Sequence, residues 1–213
     1  MKKLVDGLTE DGHLYSEKIQ EALLKINRRD FVPQEFENEA GKNISLPIGF
    51  GKQIIQPQKA AFILENLELE NGQRILCLGS DSGWAPNILA EIVGDEGKLI
   101  VIDEISKLTE HSQENSRKYP FLKNGKIQFI TSQESEGFLS EAPYDRIISL
   151  VSFSAIPEDL KKQLKVGGKM LVPINKQYIS LERKSIDHFL EDDEIQSRGL
   201  ISRMAGKIYS HNK

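Results

Sequence analysis

A short stretch near the middle of the chain, residues 75–84, constrains the fold most strongly. Residues 75–78 are apolar, as in a buried strand, and they lead directly into a turn that contains Gly79 and Gly83. Glycines let the backbone approach a ligand closely, and a helix that begins after them presents free N–H groups. A second apolar run ends on Asp103, where a carboxylate can hold ribose hydroxyl groups. This pattern predicts an α/β unit that binds a nucleoside.

The same alternation of strand and helix continues along the chain. The sequence predicts an amphipathic helix at 16–28, an irregular segment at 34–57 and a helix that begins at Pro57. Strands are expected at 74–78, 98–102, 127–131, 146–150 and 169–172, with helices at 84–93, 106–119 and 157–164. Near-continuous apolar strands separated by helices are typical of a mostly parallel sheet that is covered on both faces.

The alternation of strands and helices does not continue in the last part of the chain. Residues 178–183 and 201–209 resemble strands, but the residues between them are too polar to predict a crossover helix. We therefore expect an antiparallel edge at the C-terminal side of the sheet, and seven strands in total. The charged run at 191–194 is expected to be a solvated loop.

Composition and charge limit the class of protein. The 213 residues are expected to form a single domain, in which 1–57 supply an N-terminal helix and a covering loop and 58–213 supply the core. A net charge of -4 argues against a nucleic-acid-binding protein. The four histidines lack the spacing of metal ligands, so no metal site is predicted. Without an apolar signal segment or a run long enough to cross a bilayer, we expect a cytoplasmic protein that does not bind membranes.

Short motifs between residues 29 and 173 occur in a specific order. They lie at 29–33 (Arg-Asp-Phe-Val-Pro), 46–49 (Leu-Pro-Ile-Gly), 54–57, 142–145 (Ala-Pro-Tyr-Asp), 156–160, 163–168 and 171–173. In this series the chain resembles the protein-L-isoaspartate (D-aspartate) O-methyltransferases. The resemblance implies a class I S-adenosylmethionine-dependent methyltransferase: a Rossmann-like three-layer sandwich that uses S-adenosyl-L-methionine. The implied methyl acceptors are L-isoaspartyl or D-aspartyl residues of damaged peptides and proteins, and the protein is expected to be a monomer.

The resemblance also assigns candidate roles by position. The substrate-binding candidates are Pro47, Ile48, Gln53, Ile54 and Gln56. Ile55 takes the position of the family's active-site serine, so the catalytic hydroxyl is lost there. The cofactor-binding candidates are Leu78, Gly79, Ser80, Asp81, Gly83, Asp103, Glu104, Gln133 and Glu134. Several of these depart from the family pattern, so the resemblance predicts a site with degenerate motifs.

Two departures fall in the nucleotide turn. Cys77 stands where the family has an acidic residue, and Asp81 stands where it has a glycine. Asp81 either restores a carboxylate near the cofactor or caps the following helix. Asp103 either binds the ribose or is a solvated acid at a strand end. Trp84 either packs beside the cofactor or anchors the core, and Cys77 is expected to be an unreactive buried thiol.

Three functions are consistent with these departures. The favoured one is a working isoaspartyl carboxyl methyltransferase, because a carboxylate acceptor with a pKa of about 3.9 is already ionised and needs no general base. The second is a family member that has lost catalysis and binds the cofactor or a partner. The third is a methyltransferase with a different carboxylate or small-molecule acceptor.

Overall fold

Strands predicted from the apolar runs form the centre of the molecule. The structure is a computed structural model that describes residues 1–175 and 177–193. Its strands are β1 (Leu46–Gly49), β2 (Lys52–Ile54), β3 (Arg74–Leu78), β4 (Lys98–Asp103), β5 (Ile127–Thr131), β6 (Tyr144–Ser149), β7 (Leu164–Ile174), β8 (Gln177–Ser185) and β9 (His188–Asp192). A seven-stranded sheet has the order β5-β4-β3-β6-β7-β8-β9. Strands β3 to β7 run parallel, whereas β8 and β9 are antiparallel. The predicted sheet and its antiparallel edge are confirmed.

Helices cover this sheet. They are α1 (Lys2–Glu10), α2 (Glu17–Lys25), α3 (Pro57–Leu67), α4 (Trp84–Ile92), α5 (Ser106–Ser116), α6 (Pro120–Lys123) and α7 (Glu158–Gln163), with 3-10 helices at Arg28–Phe31, Gln34–Glu39 and Leu139–Glu141. Helix α3 begins at Pro57 as predicted, since a proline in the first turn removes an N–H that would have no partner. The sequence analysis missed α1, although it buries Leu4, Val5 and Leu8. Among the described residues, none of the helices combines the length and apolar character that crossing a membrane requires.

The sheet is the middle one of three layers. Alternate strand residues such as Cys77 and Val101 join an apolar cluster with α1 to α4 on one face. Their neighbours Leu78 and Ile102 join a second cluster with Leu160 of α7 on the other face. Because successive side chains of a strand point to opposite faces, one apolar strand supplies both clusters. This burial on both faces explains why the strands are apolar throughout.

The segment predicted as irregular is largely structured. It contains the 3-10 helix Gln34–Glu39 and the antiparallel hairpin of β1 and β2. Its turn has three successive residues with positive φ: Gly49 (85°), Phe50 (55°) and Gly51 (68°). The sequence analysis was wrong here because glycine and proline were taken as breakers. They instead shape a hairpin whose residues Leu46 and Ile48 are buried.

Two further predictions near the C-terminal side of the sheet need correction. Gly168 was expected between a helix and a strand, but β7 already begins at Leu164 and contains it. A Cβ at Gly168 would lie 2.7 Å from the carbonyl oxygen of Lys165, so only glycine fits this irregular part of the strand. The charged run 191–194 was expected to be a loop, but Glu191 and its neighbour at 192 pair with β8. The predicted strand at 201–209 lies outside the described residues.

Candidate active site

The predicted nucleotide turn joins β3 to α4 at the carboxyl end of the parallel strands. Its residues Gly79, Asp81 and Gly83 have φ values of 89°, 52° and 94°. A Cβ at Gly79 would lie 3.1 Å from Cγ1 of Val151, and one at Gly83 would lie 2.8 Å from the carbonyl oxygen of Ser112. Both glycines therefore let neighbouring chain segments pack closely against the turn. Asp81 can adopt its positive φ because aspartate is among the few other residues that tolerate the left-handed region.

Asp103 lies at the end of β4, next to this turn. Its Oδ2 accepts hydrogen bonds from the backbone N–H and the hydroxyl of Ser80, both at 2.8 Å. Its Oδ1 accepts one from the N–H of Ile105 at 2.9 Å. With 4% of its surface exposed, Asp103 is not the solvated acid that was one alternative. A carboxylate offers about four acceptor sites, so the oriented group still has acceptor capacity for a ligand hydroxyl.

The carboxylate of Asp81 is directed across the site instead of along α4. Its Oδ2 accepts a hydrogen bond of 3.2 Å from the backbone N–H of Ile55, and its Oδ1 is buried without a hydrogen-bond partner among the described residues. The N-cap of α4 is Gly83, with no side-chain cap, so the prediction that Asp81 caps this helix was wrong. Burial raises the pKa of Asp81 to about 7, while the Ile55 N–H and the charge of Arg28 act in the opposite direction.

Arg28 is a site residue that the sequence analysis missed. Its guanidinium is fully buried and donates to the carbonyl oxygens of Ile44 (2.8 Å) and Ile55 (3.0 Å). Longer bonds join it to the carbonyls of Ala40 (3.3 Å) and Lys42 (3.4 Å). Burial lowers the pKa of Arg28 to about 10, although the nearby Asp81 carboxylate opposes this. Arg28 thus holds residues 40–55 over the nucleotide turn. The sequence signal is weak, since any surface helix can end in an arginine.

Trp84 and Cys77 support the site from within the core. Trp84 is fully buried and donates from Nε1 to the carbonyl oxygen of Ile26 at 3.2 Å, so the core-anchor alternative is confirmed. The Cys77 side chain is also fully buried. Burial raises the pKa of its thiol, and the charges of Asp81 and Asp103 add to this effect. These contributions show that both carboxylates lie near the position where the family carries an acid.

A cavity of about 220 Å³ joins the turn to the covering segment. Three cofactor-binding candidates line this cavity: Gly79, Asp81 and Asp103. Three residues of the covering segment line it as well: Gln53, Ile55 and Gln56. Lys52, Lys59 and Tyr178 also line it, although the sequence analysis did not select them. The structure thus brings the two predicted halves of the site together around one space.

Other candidates lie outside this cavity. Leu78, Ile48 and Ile54 are buried in the core, Ser80 is buried beneath Asp103, and Gly83 contacts α5. Pro47, Glu104 and Gln133 are exposed, and Glu134 is buried with its Oε1 accepting from the N–H of Glu104 at 3.3 Å. These candidates can contribute to ligand binding only by supporting the turn and the hairpin, or through contacts with parts of a ligand that extend beyond the cavity.

A larger cavity of about 460 Å³ lies elsewhere. Glu68 and Glu70, which line it, precede β3, so this cavity is at the amino ends of the strands. The candidate site residues do not line it. In open α/β sheets ligands bind at the carboxyl ends, so we assign the site to the smaller cavity.

The residues of the smaller cavity fit an adenosyl sulfonium cofactor. The buried Oδ1 of Asp81 needs a donor, and an ammonium or a hydroxyl group supplies one. Asp103 is oriented at the strand end where ribose is held in such folds. Gly79 lines the cavity, and a Cβ at this position would crowd Val151. Together the sheet, the turn and this strand-end acid define a class I S-adenosylmethionine-dependent methyltransferase.

Comparison with known proteins specifies the family. The sequence profile described as protein-L-isoaspartate(D-aspartate) O-methyltransferase matches residues 1–199. Protein-L-isoaspartate O-methyltransferase of Methanothermobacter thermautotrophicus is 34% identical over 193 residues, or 88% of each chain. Protein-L-isoaspartate O-methyltransferase 2 of Archaeoglobus fulgidus is 35% identical over 173 residues, or 81% of this chain and 77% of the relative. The chain belongs to the protein-L-isoaspartate (D-aspartate) O-methyltransferase family.

A solved structure agrees with this fold. A protein-L-isoaspartate O-methyltransferase of Plasmodium falciparum, crystallised with S-adenosyl-L-homocysteine, superposes with a TM-score of 0.80. The alignment covers 90% of this chain and 92% of that chain at 22% identity. At this identity the similarity bears on the fold, and it confirms the class I methyltransferase architecture.

Proposed function

We propose that the protein transfers a methyl group from S-adenosyl-L-methionine to the free carboxylate of isoaspartyl residues in damaged proteins. The observation that carries this proposal is the shared cavity: the cofactor turn (Gly79, Asp81) and the covering loop (Gln53, Ile55) line the same space. A methyl donor held by the turn would therefore meet an acceptor held by the loop. We also propose that residues 1–57 act as the cover and 58–213 as the cofactor-binding core.

The chemistry suits the residues that are present. The bound cofactor supplies an electrophilic methyl group on a positively charged sulfur. An acceptor carboxylate is ionised at neutral pH, because its pKa is about 3.9, so no side chain has to remove a proton. Among the described residues no histidine lines the cavity, which is consistent with a reaction that needs no base. The protein's task is to align the acceptor and to exclude water.

Loss of the serine hydroxyl lowers the rate without abolishing the reaction. Ile55 cannot donate a side-chain hydrogen bond to the acceptor, and its backbone N–H is already bonded to Asp81. A hydrogen bond to a charged group contributes about 1.5–3 kcal/mol. Since about 1.4 kcal/mol corresponds to a factor of ten, we expect a rate about ten- to hundredfold below that of a serine-containing site.

Cofactor entry requires movement of the cover. The cavity of about 220 Å³ is below the roughly 300–1,000 Å³ of drug-sized ligand sites. The cover contacts the turn through the 3.2 Å hydrogen bond between Ile55 and Asp81. The other oxygen, Oδ1, is inaccessible and has no partner among the described residues, so an ammonium or hydroxyl donor can reach it only after the loop has moved. We therefore propose that cofactor binding and displacement of the loop are coupled.

A direct assay tests the function. The protein is incubated with methyl-labelled S-adenosylmethionine and an isoaspartyl peptide, with the same peptide containing ordinary aspartate as the control. We expect methyl ester in the first reaction and background in the second. Cofactor binding without any methyl ester would favour the binding-protein alternative, and methylation of both peptides would favour a different acceptor.

The location and assembly of the protein are separate proposals. We propose a cytoplasmic monomer that does not bind nucleic acid, and its net charge of -4 supports the last part. Light scattering coupled to size exclusion tests the monomer, and fractionation of cells tests the location. A dimer or a membrane-bound fraction would contradict these proposals without affecting the assigned chemistry.

A further inference from the structure

We propose that Lys52 and Lys59 form the subsite for the acceptor carboxylate, in which two ammonium groups on the loop side of the cavity hold the anionic group that receives the methyl. The inference rests on the proposed function and deepens it, because it names the residues that recognise the substrate class. These positions were not among the candidates that the sequence analysis selected.

Both lysines line the same cavity as the loop and the turn. Lys52 is the first residue of β2, and Lys59 lies in the first turn of α3. Within residues 1–175 and 177–193, neither ammonium has an ion-pair or hydrogen-bond partner, whereas cations such as Lys98 and Lys126 are paired with carboxylates. Two unpaired cations at one cavity attract an anionic ligand.

The position of Lys59 supports a role in binding. The amino end of a helix carries partial positive charge, so it stabilises anions and disfavours cations. The first turn of α3 contains no acidic residue to offset this effect. Lys59 therefore adds positive charge where the helix already has it, which does not help α3 to form. Both charges favour an anion at this side of the cavity.

Two other donors near the loop, the Ile55 N–H and the Nη groups of Arg28, already have partners. The Ile55 side chain has no donor, and its N–H is bonded to Asp81. The Arg28 guanidinium donates to backbone carbonyls beneath the loop. At the nucleotide turn, Asp81 and Asp103 also line the cavity, and their carboxylates repel an acceptor carboxylate when they are ionised. The cavity therefore has acids at the turn and lysines at β2 and at the start of α3.

This division of charge distinguishes the substrate from the product. Before transfer the acceptor is an anion, and after transfer it is a neutral methyl ester. Lys52 and Lys59 attract the anion and lose that attraction once its charge is removed. We therefore expect the site to bind the carboxylate form of a peptide more tightly than its methyl ester, which favours product release.

The test measures binding without turnover. Calorimetry with S-adenosylhomocysteine present compares an isoaspartyl peptide with its methyl ester, using wild type, Lys52→Gln, Lys59→Gln and the double variant. An exposed ion pair contributes about 0.2–1 kcal/mol, so each single variant should weaken carboxylate binding up to about fivefold. Ester affinity and cofactor affinity should not change, and the preference for the carboxylate should decrease as salt is added.

Matched variants separate charge from structure. Lys123→Gln removes an exposed lysine at the end of α6, which precedes β5 and so lies at the amino ends of the parallel strands, away from the cavity; this variant should behave as wild type. Lys52→Arg and Lys59→Arg keep the charge and should retain the preference for the carboxylate. An unchanged preference in the double variant, or equal loss of ester binding, overturns the lysine subsite alone. If the wild type binds neither peptide, both this inference and the proposed function are overturned.

Discussion

Replacing Asp81 by asparagine tests how the site combines a stability penalty with ligand binding. The pKa of Asp81 rises from 3.8 to about 7 in the folded protein, chiefly through burial. Because one pKa unit corresponds to 1.36 kcal/mol, the ionised carboxylate destabilises the fold by up to about 4 kcal/mol. This is an upper limit, since the residue as a whole is only half-buried although its Oδ1 is inaccessible.

The direction of the pH effect follows from the raised pKa. The folded protein binds the Asp81 proton more tightly than the unfolded chain does, so protonation of Asp81 stabilises the fold. This stabilisation is fully present below about pH 4 and is lost as the pH rises to about 7. Asp81→Asn has no such titration, so its unfolding free energy should fall less between pH 4 and pH 8. At pH 8 we expect it to exceed the wild type by about 1–3 kcal/mol, because the unpaired amide offsets part of the gain.

Ligand binding should change in the opposite direction. A hydrogen bond from a cationic donor to a carboxylate contributes about 1.5–3 kcal/mol, so Asp81→Asn should bind S-adenosylhomocysteine about ten- to hundredfold more weakly. Urea unfolding at pH 5 and pH 8 and a calorimetric titration measure the two effects. Asp187→Asn, in the exposed β8–β9 turn, is the control. Undiminished cofactor affinity together with an unaltered pH profile would refute the assigned role of Asp81.

Three further outcomes are expected. Ile55→Ser restores a hydroxyl at the cavity, so kcat with an isoaspartyl peptide should rise about ten- to hundredfold; an unchanged kcat would show that a hydroxyl there has no role. Gly83→Ala places a Cβ 2.8 Å from the Ser112 carbonyl oxygen, at a residue whose φ is 94°. Urea unfolding should show a loss of about 2–4 kcal/mol in stability. Wild-type stability of this variant would contradict the close approach of α4 and α5. Because Cys77 is fully buried with a raised pKa, a thiol reagent at pH 8 should label it only in denaturant; rapid labelling of the native protein would mean that β3 is accessible.

Much of the framework could be predicted from local patterns. The apolar runs that became β3 and β4, the glycines of the turn and the acid at position 103 each carry a signal within a few residues. Pro57 likewise marks the start of α3. These features follow from backbone geometry and side-chain alternation, which act over short stretches of chain. The covering hairpin was missed because its glycines are equally typical of an irregular loop.

The character of the site depended on contacts between distant residues. Asp81 and Ile55 are 26 positions apart and meet through one hydrogen bond, and the burial that raises the Asp81 pKa exists only once the cover is in place. Likewise, Arg28 has no local feature that marks it as the support of residues 40–55. The sequence by itself determined the class of fold and where a nucleoside turn lies, because strand, turn and helix preferences are local. Only the tertiary structure decided which charges share the cavity, because desolvation and electrostatic attraction depend on distances that the folded chain alone sets.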